Sequence, residues 1–391
     1  PVTVLSGFLG AGKTTVLRRL LREQSAHRVA VIVNDLSELP VDAELVREAR
    51  EGRHEIIIDL HGGSLGGTLR APFREALDTL AADASVTYLV IETSGGTHPT
   101  ALIAELEGHP GVQLDTFATI VDGLNLLRDH DGGRDLLATA APDDTSTRSL
   151  LRAQIAAASL LLVAKADLLT RAQAERLIGA LQQVNPRASL MTMTYGRVLP
   201  ERLLDTGSWA RRQRLLARGM TSRHEEETPD EAVDVPLDDP RRFDLDAITI
   251  RDARPLHPGR LHTLISEALP LGVHRSKGWL WLASRPLDVL VWHQSGSHIA
   301  LEWAATWKAG ILEDTSARLR PEERQALAAQ VRALHPVFGD RHCELTIIGH
   351  ARDREAFRQP LMACFCTEEE ILAWQQGARF DDPWPQSLRR V

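Results

Sequence analysis

Apolar residues in the first half of the chain fall in short continuous runs instead of alternating with polar ones. Val2-Thr3-Val4-Leu5-Ser6, Val29-Ala30-Val31-Ile32-Val33, Tyr88-Leu89-Val90-Ile91, Ala118-Thr119-Ile120-Val121-Asp122 and Leu160-Leu161-Leu162-Val163 are such runs. Ile56-Ile57-Ile58 begins another, and residues 188–193 are a candidate last one. Short runs rich in β-branched residues predict strands covered on both faces. Between them the spacing becomes helical. Val16, Leu17, Leu20 and Leu21 share one helical face, and further helices are expected at 70–80, from Pro99 to about Leu106, and in the segment carrying Gln154. Strand and helix alternate from Pro1 to about Pro200, so a first domain over residues 1–203 is expected to be α/β with a mostly parallel sheet.

The pattern breaks at about Leu204. Arg211, Arg212 and Arg214 precede His224-Glu225-Glu226-Glu227-Thr228-Pro229-Asp230-Glu231, so residues 204–242 read as a charged linker. Beyond it stand seven of the eight tryptophans, which marks a second core over residues 243–391. There, 279–282, 289–292, 299–301 and 345–348 read as strands, and 258–269 and 321–334 as helices with proline in the first turn. The expectation is a smaller α+β domain with its own sheet. Residues 129–144 read as a mobile insertion rich in Asp and Gly.

Composition narrows the class. The 391 residues exceed one ordinary core, and 43% hydrophobic with 25% charged residues is the balance of a soluble globular chain. No apolar run reaches the ~18 residues of a membrane span, and no secretory signal pattern is visible. A net charge of −8 argues against non-specific nucleic-acid binding. The three cysteines, Cys343, Cys364 and Cys366, give no disulfide framework, and a reducing cytoplasm is expected.

Candidate chemistry starts where the first strand ends. Gly7-Phe8-Leu9-Gly10-Ala11-Gly12-Lys13-Thr14-Thr15 completes G-x-x-x-x-G-K-[ST] between a strand and a helix. Its glycines let backbone N–H groups curl around an anion, and the helix start adds the positive end of its dipole. Gly7, Gly10, Ala11, Gly12, Lys13, Thr14 and Thr15 are therefore expected to hold a nucleoside triphosphate. Lys13 would reach the β- and γ-phosphates and Thr14 would ligate Mg²⁺. Glu92, at the end of the Tyr88–Ile91 run, fits the acid that polarises the Mg²⁺ shell or the attacking water. Asp35 and Glu38 follow the Val29–Val33 run, where open α/β sheets bind ligands; a plain solvated loop is the alternative. Lys165 and Asp167 follow Leu160–Val163 in Ala164-Lys165-Ala166-Asp167. GTPases carry Asn-Lys-x-Asp there, the Asp pairing guanine N1 and N2. Adenine offers no matching N1–H, so Asp167 points to GTP, while Ala164 forfeits the amide contact.

Other chemistry is thin. Four glycines within residues 62–67 predict a flexible or phosphate-proximal loop. The histidines of the second domain show no specific ligand spacing, and Cys364-Phe365-Cys366 reads as buried thiols.

Taken together these segments resemble the CobW family of P-loop GTPases, which includes zinc metallochaperones and cobalamin-pathway proteins. The similarity lies in residues 3–15, in Asn34-Asp35 with Glu38 and Asp42-Ala43-Glu44-Leu45-Val46 (a first switch), and in Ile91-Glu92-Thr93-Ser94-Gly95 (a second). It extends to residues 274–286, Gly339-Asp340-Arg341 and Ile347-Ile348-Gly349 of a CobW-like C-terminal domain. The resemblance implies an Mg²⁺-dependent GTPase coupled to a client protein, a metalloprotein or an assembly. Lys13, Thr14 and Glu92 would be catalytic, Thr14, Asp35 and Glu92 would hold Mg²⁺, and oligomers are compatible with it. The family's Cys-x-Cys-Cys hallmark is replaced by Gly63-Ser64-Leu65-Gly66-Gly67-Thr68-Leu69, which offers no thiolate, so no zinc site is expected there. No glutamine follows Glu92 to position the attacking water, so slow hydrolysis is expected. The alternative is a nucleotide-dependent module that docks on an assembly such as the ribosome; an ATP-using kinase is disfavoured by Asp167.

Overall fold

The apolar runs of the first half become neighbouring strands in the computed structural model, which describes residues 1–24, 26–35, 56–65, 67–138, 146–217, 243, 245–267, 270, 272–296, 298–314, 319–385 and 387–388. The chain divides into Pro1–Leu245 and Asp246–Val391.

In the first unit, β1 (Val2–Ser6), β2 (Val29–Asp35), β3 (Ile57–His61), β4 (Tyr88–Glu92), β5 (Leu114–Asp122), β6 (Leu160–Ala164) and β7 (Ser189–Thr192) form one sheet in the order β3-β2-β4-β1-β5-β6-β7. Every pairing is parallel. The continuous hydrophobicity of β2 has a direct cause. Val29, Val31 and Val33 enter the core beneath α1 (Lys13–Glu23), whereas Ala30 and Ile32 enter the opposite core with Phe73 and Leu77 of α2 (Arg70–Ala82). Both faces are dry, so alternation would bury polar groups. Because all strands run one way, Ser6, Asp35, His61, Glu92, Asp122 and Ala164 end on one edge.

Some segments differ from the sequence reading. The third strand runs on through Asp59-Leu60-His61, beyond the apolar run that begins it. Within the stretch read as a mobile insertion, Asp131–Leu137 forms a 3-10 turn whose Leu136 is fully buried. Within the stretch read as a linker, Ser208–Ala217 is a helix inside the first unit. Trp209 packs on Phe117 with ring centroids 6.1 Å apart and donates to Glu107 Oε1 at 2.9 Å. Residues 218–242, including His224, lie outside the described residues, as do Glu38, Asp42 and Gly66.

The second unit carries an antiparallel sheet of β8 (Asp246–Asp252), β9 (Val273–Leu280), β10 (Asp288–Ser295), β11 (His298–Thr306) and β12 (Cys343–Gly349), ordered β11-β10-β9-β12-β8. Trp281, Trp292, Trp307 and Trp384 share its core with Leu345 and Ile347. Arg341 is buried there because its charge is matched: Nε donates to Pro286 O at 2.7 Å, Nη2 pairs with Glu313, and the guanidinium lies over Trp281. Among the described residues no helix is long and apolar enough to cross a membrane.

Candidate functional site

The loop after β1 is shaped by two glycines. A Cβ on Gly7 (φ 137°) would sit 2.2 Å from Ile120 O, so only glycine lets the loop leave the sheet against β5. Gly12 (φ 104°) stands left-handed at the N-cap of α1, which has no side-chain cap and no acid in its first turn. The amides at this helix start are thus aimed at the carboxyl edge and compatible with an anion. Lys13, 5% exposed, donates to Gly7 O at 2.7 Å and Phe8 O at 3.1 Å, so its ammonium lies within the curl of the loop. Gly10 (φ 73°) and Ala11, whose N–H donates to Phe8 O at 3.2 Å, complete the turn; Thr15 is exposed.

The acid sits opposite. Thr14 Oγ1 donates to Glu92 Oε1 at 2.5 Å, and Glu92 is 3% exposed at the end of β4. Asp35, also buried, ends the neighbouring β2. A hydroxyl and carboxylates are hard oxygen donors, the set Mg²⁺ takes, so these residues fit that ion.

Two amides that sequence reasoning did not single out as site residues brace this edge. Asn34 Nδ2 donates to Leu60 O at 3.1 Å and Gly63 O at 3.0 Å, while its Oδ1 accepts from Ser94 N at 3.0 Å. It ties the glycine-rich loop to the segment after Glu92. Gln154 Nε2 donates to Gly95 O at 3.1 Å and Thr97 O at 3.0 Å. Gly95 abuts the phosphate loop, since a Cβ there would lie 2.6 Å from Leu9 N. Where described, the glycine-rich loop is a packed turn. Leu65 is fully buried, Leu69 N donates to Ser64 O at 3.0 Å, and a Cβ on Gly63 would strike Thr68 Oγ1. His61, beside it, pairs with Asp59 at 2.9 Å.

At the far end of the edge, Lys165 (φ 57°) places Nζ 2.6 Å from Asp122 Oδ2. Asp122 Oδ1 accepts from Leu124 N and Asn125 N, capping α3 (Gly123–Asp129). Asp167 lies exposed in the 3-10 turn Ala166–Leu168. The legible signal for Asp122 was the one used for Glu92, an acid ending a buried strand.

In the second unit, His274 and His350 bring their Nε2 atoms within 3.2 Å, a pairing that spacing could not show. Among the described residues no group of three or more His, Cys, Asp or Glu can hold a metal. All three thiols are buried.

A family model described as the CobW/HypB/UreG nucleotide-binding domain matches residues 1–192, and one for the cobalamin synthesis protein cobW C-terminal domain matches 245–365. The zinc-regulated GTPase metalloprotein activator 1 of Dictyostelium discoideum is 28% identical over 400 residues, covering 95% of this chain and 81% of that protein. The zinc chaperone YjiA of Escherichia coli is 31% identical over 202 residues, covering 50% of this chain and 58% of its own length. A crystal structure of Zn(II)-bound YjiA GTPase from Escherichia coli aligns at 20% identity over 93% of this chain and 98% of that one, with a TM-score of 0.36.

Proposed function

Because the chain belongs to the CobW family, with its nucleotide-binding domain first and its C-terminal domain second, we propose that it hydrolyses Mg²⁺-GTP and couples that cycle to a client protein. The observation that carries this reading is the 2.5 Å contact between Thr14 Oγ1 and Glu92 Oε1 at the mouth of the Gly7–Thr15 loop. It sets a hydroxyl and a carboxylate side by side at the edge where the loop amides and Lys13 converge.

Each group has a separate task. The loop amides and the start of α1 bind the β- and γ-phosphates as fixed dipoles that need no reorganisation. Lys13 exchanges the carbonyls of Gly7 and Phe8 for phosphate oxygens, trading neutral acceptors for charged ones as negative charge builds on the transferred group. Thr14, Glu92 and Asp35 would hold Mg²⁺ directly or through water, and a bound ion would supply charge neutralisation for the phosphates. Glu92 also orients the attacking water. Segments 93–97 and 35–38 sense the γ-phosphate, the first braced by Asn34 and Gln154. Asp167 reads guanine N1 and N2, and the Lys165 stem covers the base. No glutamine lies in Thr93-Ser94-Gly95-Gly96-Thr97, so turnover without a client is slow.

Relatives named as a zinc-regulated GTPase metalloprotein activator and a zinc chaperone point the client role toward metal handling. The loop at residues 62–68 carries no thiol, so zinc, if it is cargo, travels by another ligand set. The test measures GTP hydrolysis and metal content on one purified sample, with Mg²⁺ or with chelator, and with or without Zn²⁺. Mg²⁺-dependent release of phosphate from GTP in preference to ATP is expected. Failure to bind GTP would overturn the reading, and stoichiometric zinc bound through the 62–68 loop would overturn the cargo statement.

A further inference from the structure

The turn that follows β7 is strained at a residue where the fold does not require strain. Arg197 N donates to Thr194 O at 3.0 Å, closing a four-residue turn whose central residues, Tyr195 and Gly196, have φ of 51° and 68°. Two positive φ values in succession define a type I′ pattern, which favours Asn, Asp or Gly at both places. Gly196 has a packing reason. A Cβ there would lie 2.9 Å from Thr15 Cγ2 and 3.2 Å from the Thr15 carbonyl, so the turn presses on the start of α1.

Tyr195 has no such reason. A bulky residue in the left-handed region is a genuine outlier. Tyr195 is 62% exposed, and it forms no ring stack among the described residues. The flanking residues are well anchored, Met193 and Val198 sharing a core with Ala11, Val16 and Ala164. A rigid base thus carries an exposed aromatic ring in a costly conformation. Such strain is characteristic of positions kept for a ligand.

The location identifies the ligand. β6 and β7 run parallel with Val163 opposite Thr192, so Lys165 and Tyr195 leave neighbouring strands on the same edge, two and three residues beyond that pair. Through Gly196 the turn also touches the phosphate loop at Thr15. It therefore stands between the place for phosphates and the place for the base.

We propose that Tyr195 is a nucleotide-binding residue on whose ring the purine of bound GTP stacks. This rests on the guanine-nucleotide reading above. Stacking on a π-face is tolerant of base identity, so Tyr195 supplies affinity, and Asp167 supplies the choice of guanine. It also offsets the base contact missing at Ala164.

The experiment compares GTP with inorganic tripolyphosphate, which has no base, by calorimetric titration of the full chain. Tyr195→Ala is expected to weaken GTP by roughly tenfold and to leave tripolyphosphate unchanged, whereas Tyr195→Phe stays within about twofold of wild type for both. Tyr195→Gly relieves the backbone strain, so it raises the thermal midpoint by about 2 °C while losing GTP affinity like the alanine variant. A merely structural role would lower both together. Wild-type affinity for GTP in Tyr195→Ala, or an equal loss for GTP and tripolyphosphate, would overturn the assignment alone. Absence of GTP binding by the wild type would remove the guanine-nucleotide reading and this inference with it.

Discussion

Lys165 Nζ lies 2.6 Å from Asp122 Oδ2, joining the end of β6 to the end of β5. The lysine backbone is left-handed, and Asp122 is 8% exposed with its other oxygen committed to the cap of α3. GTPases tether this loop with an Asn amide, but Ala164 has none. In this chain the Asp122 contact joins the loop to the end of β5. Removing one partner of a largely buried pair costs about 1–3 kcal/mol. Asp122→Ala should therefore weaken GTP by roughly tenfold or more and narrow its advantage over ATP. Competition of the two nucleotides for the variant and the wild type checks this.

Glu92 separates binding from chemistry. Glu92→Gln keeps the shape and an acceptor for Thr14 but removes the charge. GTP affinity should change by less than about threefold, while kcat falls by roughly 10²–10³. Lys13→Ala should lose both. Single-turnover hydrolysis beside equilibrium binding distinguishes the two outcomes.

Asn34 serves three backbone groups at once, Leu60 O, Gly63 O and Ser94 N. Asn34→Leu leaves them without that amide in a site that is 3% exposed in the native chain. The expected cost is about 2–3 kcal/mol, a fall of about 6 °C in the midpoint of the first unit. Hydrogen exchange should rise together in peptides spanning 60–65 and 93–97, because one side chain holds both.

The parts of this site that were legible in the sequence are contiguous. Gly7–Thr15, Glu92 and Lys165–Asp167 each announce themselves because a short segment must present a fixed set of groups after a buried strand. The braces are not contiguous. Asn34 and Gln154 matter only once folding brings Gly63, Ser94 and Gly95 to them, and nothing near either residue encodes that. The helix Ser208–Ala217 was hidden by its arginines. Arg212 is buried, donating to Ala156 O at 3.0 Å and lying over Trp209, so a charged residue occupies a core position. β8 went unread because only Ile248 and Ile250 mark it between two aspartates. Tyr195 carried no periodic signal at all; its backbone dihedral exposed it.

In the second unit, Arg260 grips Glu370 through two bonds of 2.6 and 2.7 Å and holds its carboxyl down to about 2 from an ordinary 4.5. A folded pKa below the unfolded one lends stability that is complete above about pH 4.5 and is lost as pH falls toward 2. Both side chains are about a third exposed, so solvent screening limits the effect to about 1 kcal/mol. Glu370→Gln should lower the urea midpoint at pH 7, and the gap between variant and wild type should close between pH 4.5 and 2. Tryptophan fluorescence during unfolding at pH 7, 5 and 3 reads it directly; a gap that widened on acidification would contradict the pair's role.

Burial pushes the Cys343 thiol up to about 12, Cys364 to about 11 and Cys366 to about 12, the last also raised by the neighbouring Glu370 carboxylate. At pH 7.5 the thiolate fraction at each is below about one in a thousand, and thiolate is the form that attacks reagents or binds zinc. Native protein should therefore react with a disulfide reagent at fewer than one of its three thiols over minutes, and at all three in denaturant. The consequence reaches the metal question. Since the first unit has no cysteine, zinc held by the native chain is expected to rest on imidazole and carboxylate. Zinc affinity measured before and after alkylation of the native protein should be identical. Loss of zinc on alkylation would mean that a thiol opens far enough to ionise and bind.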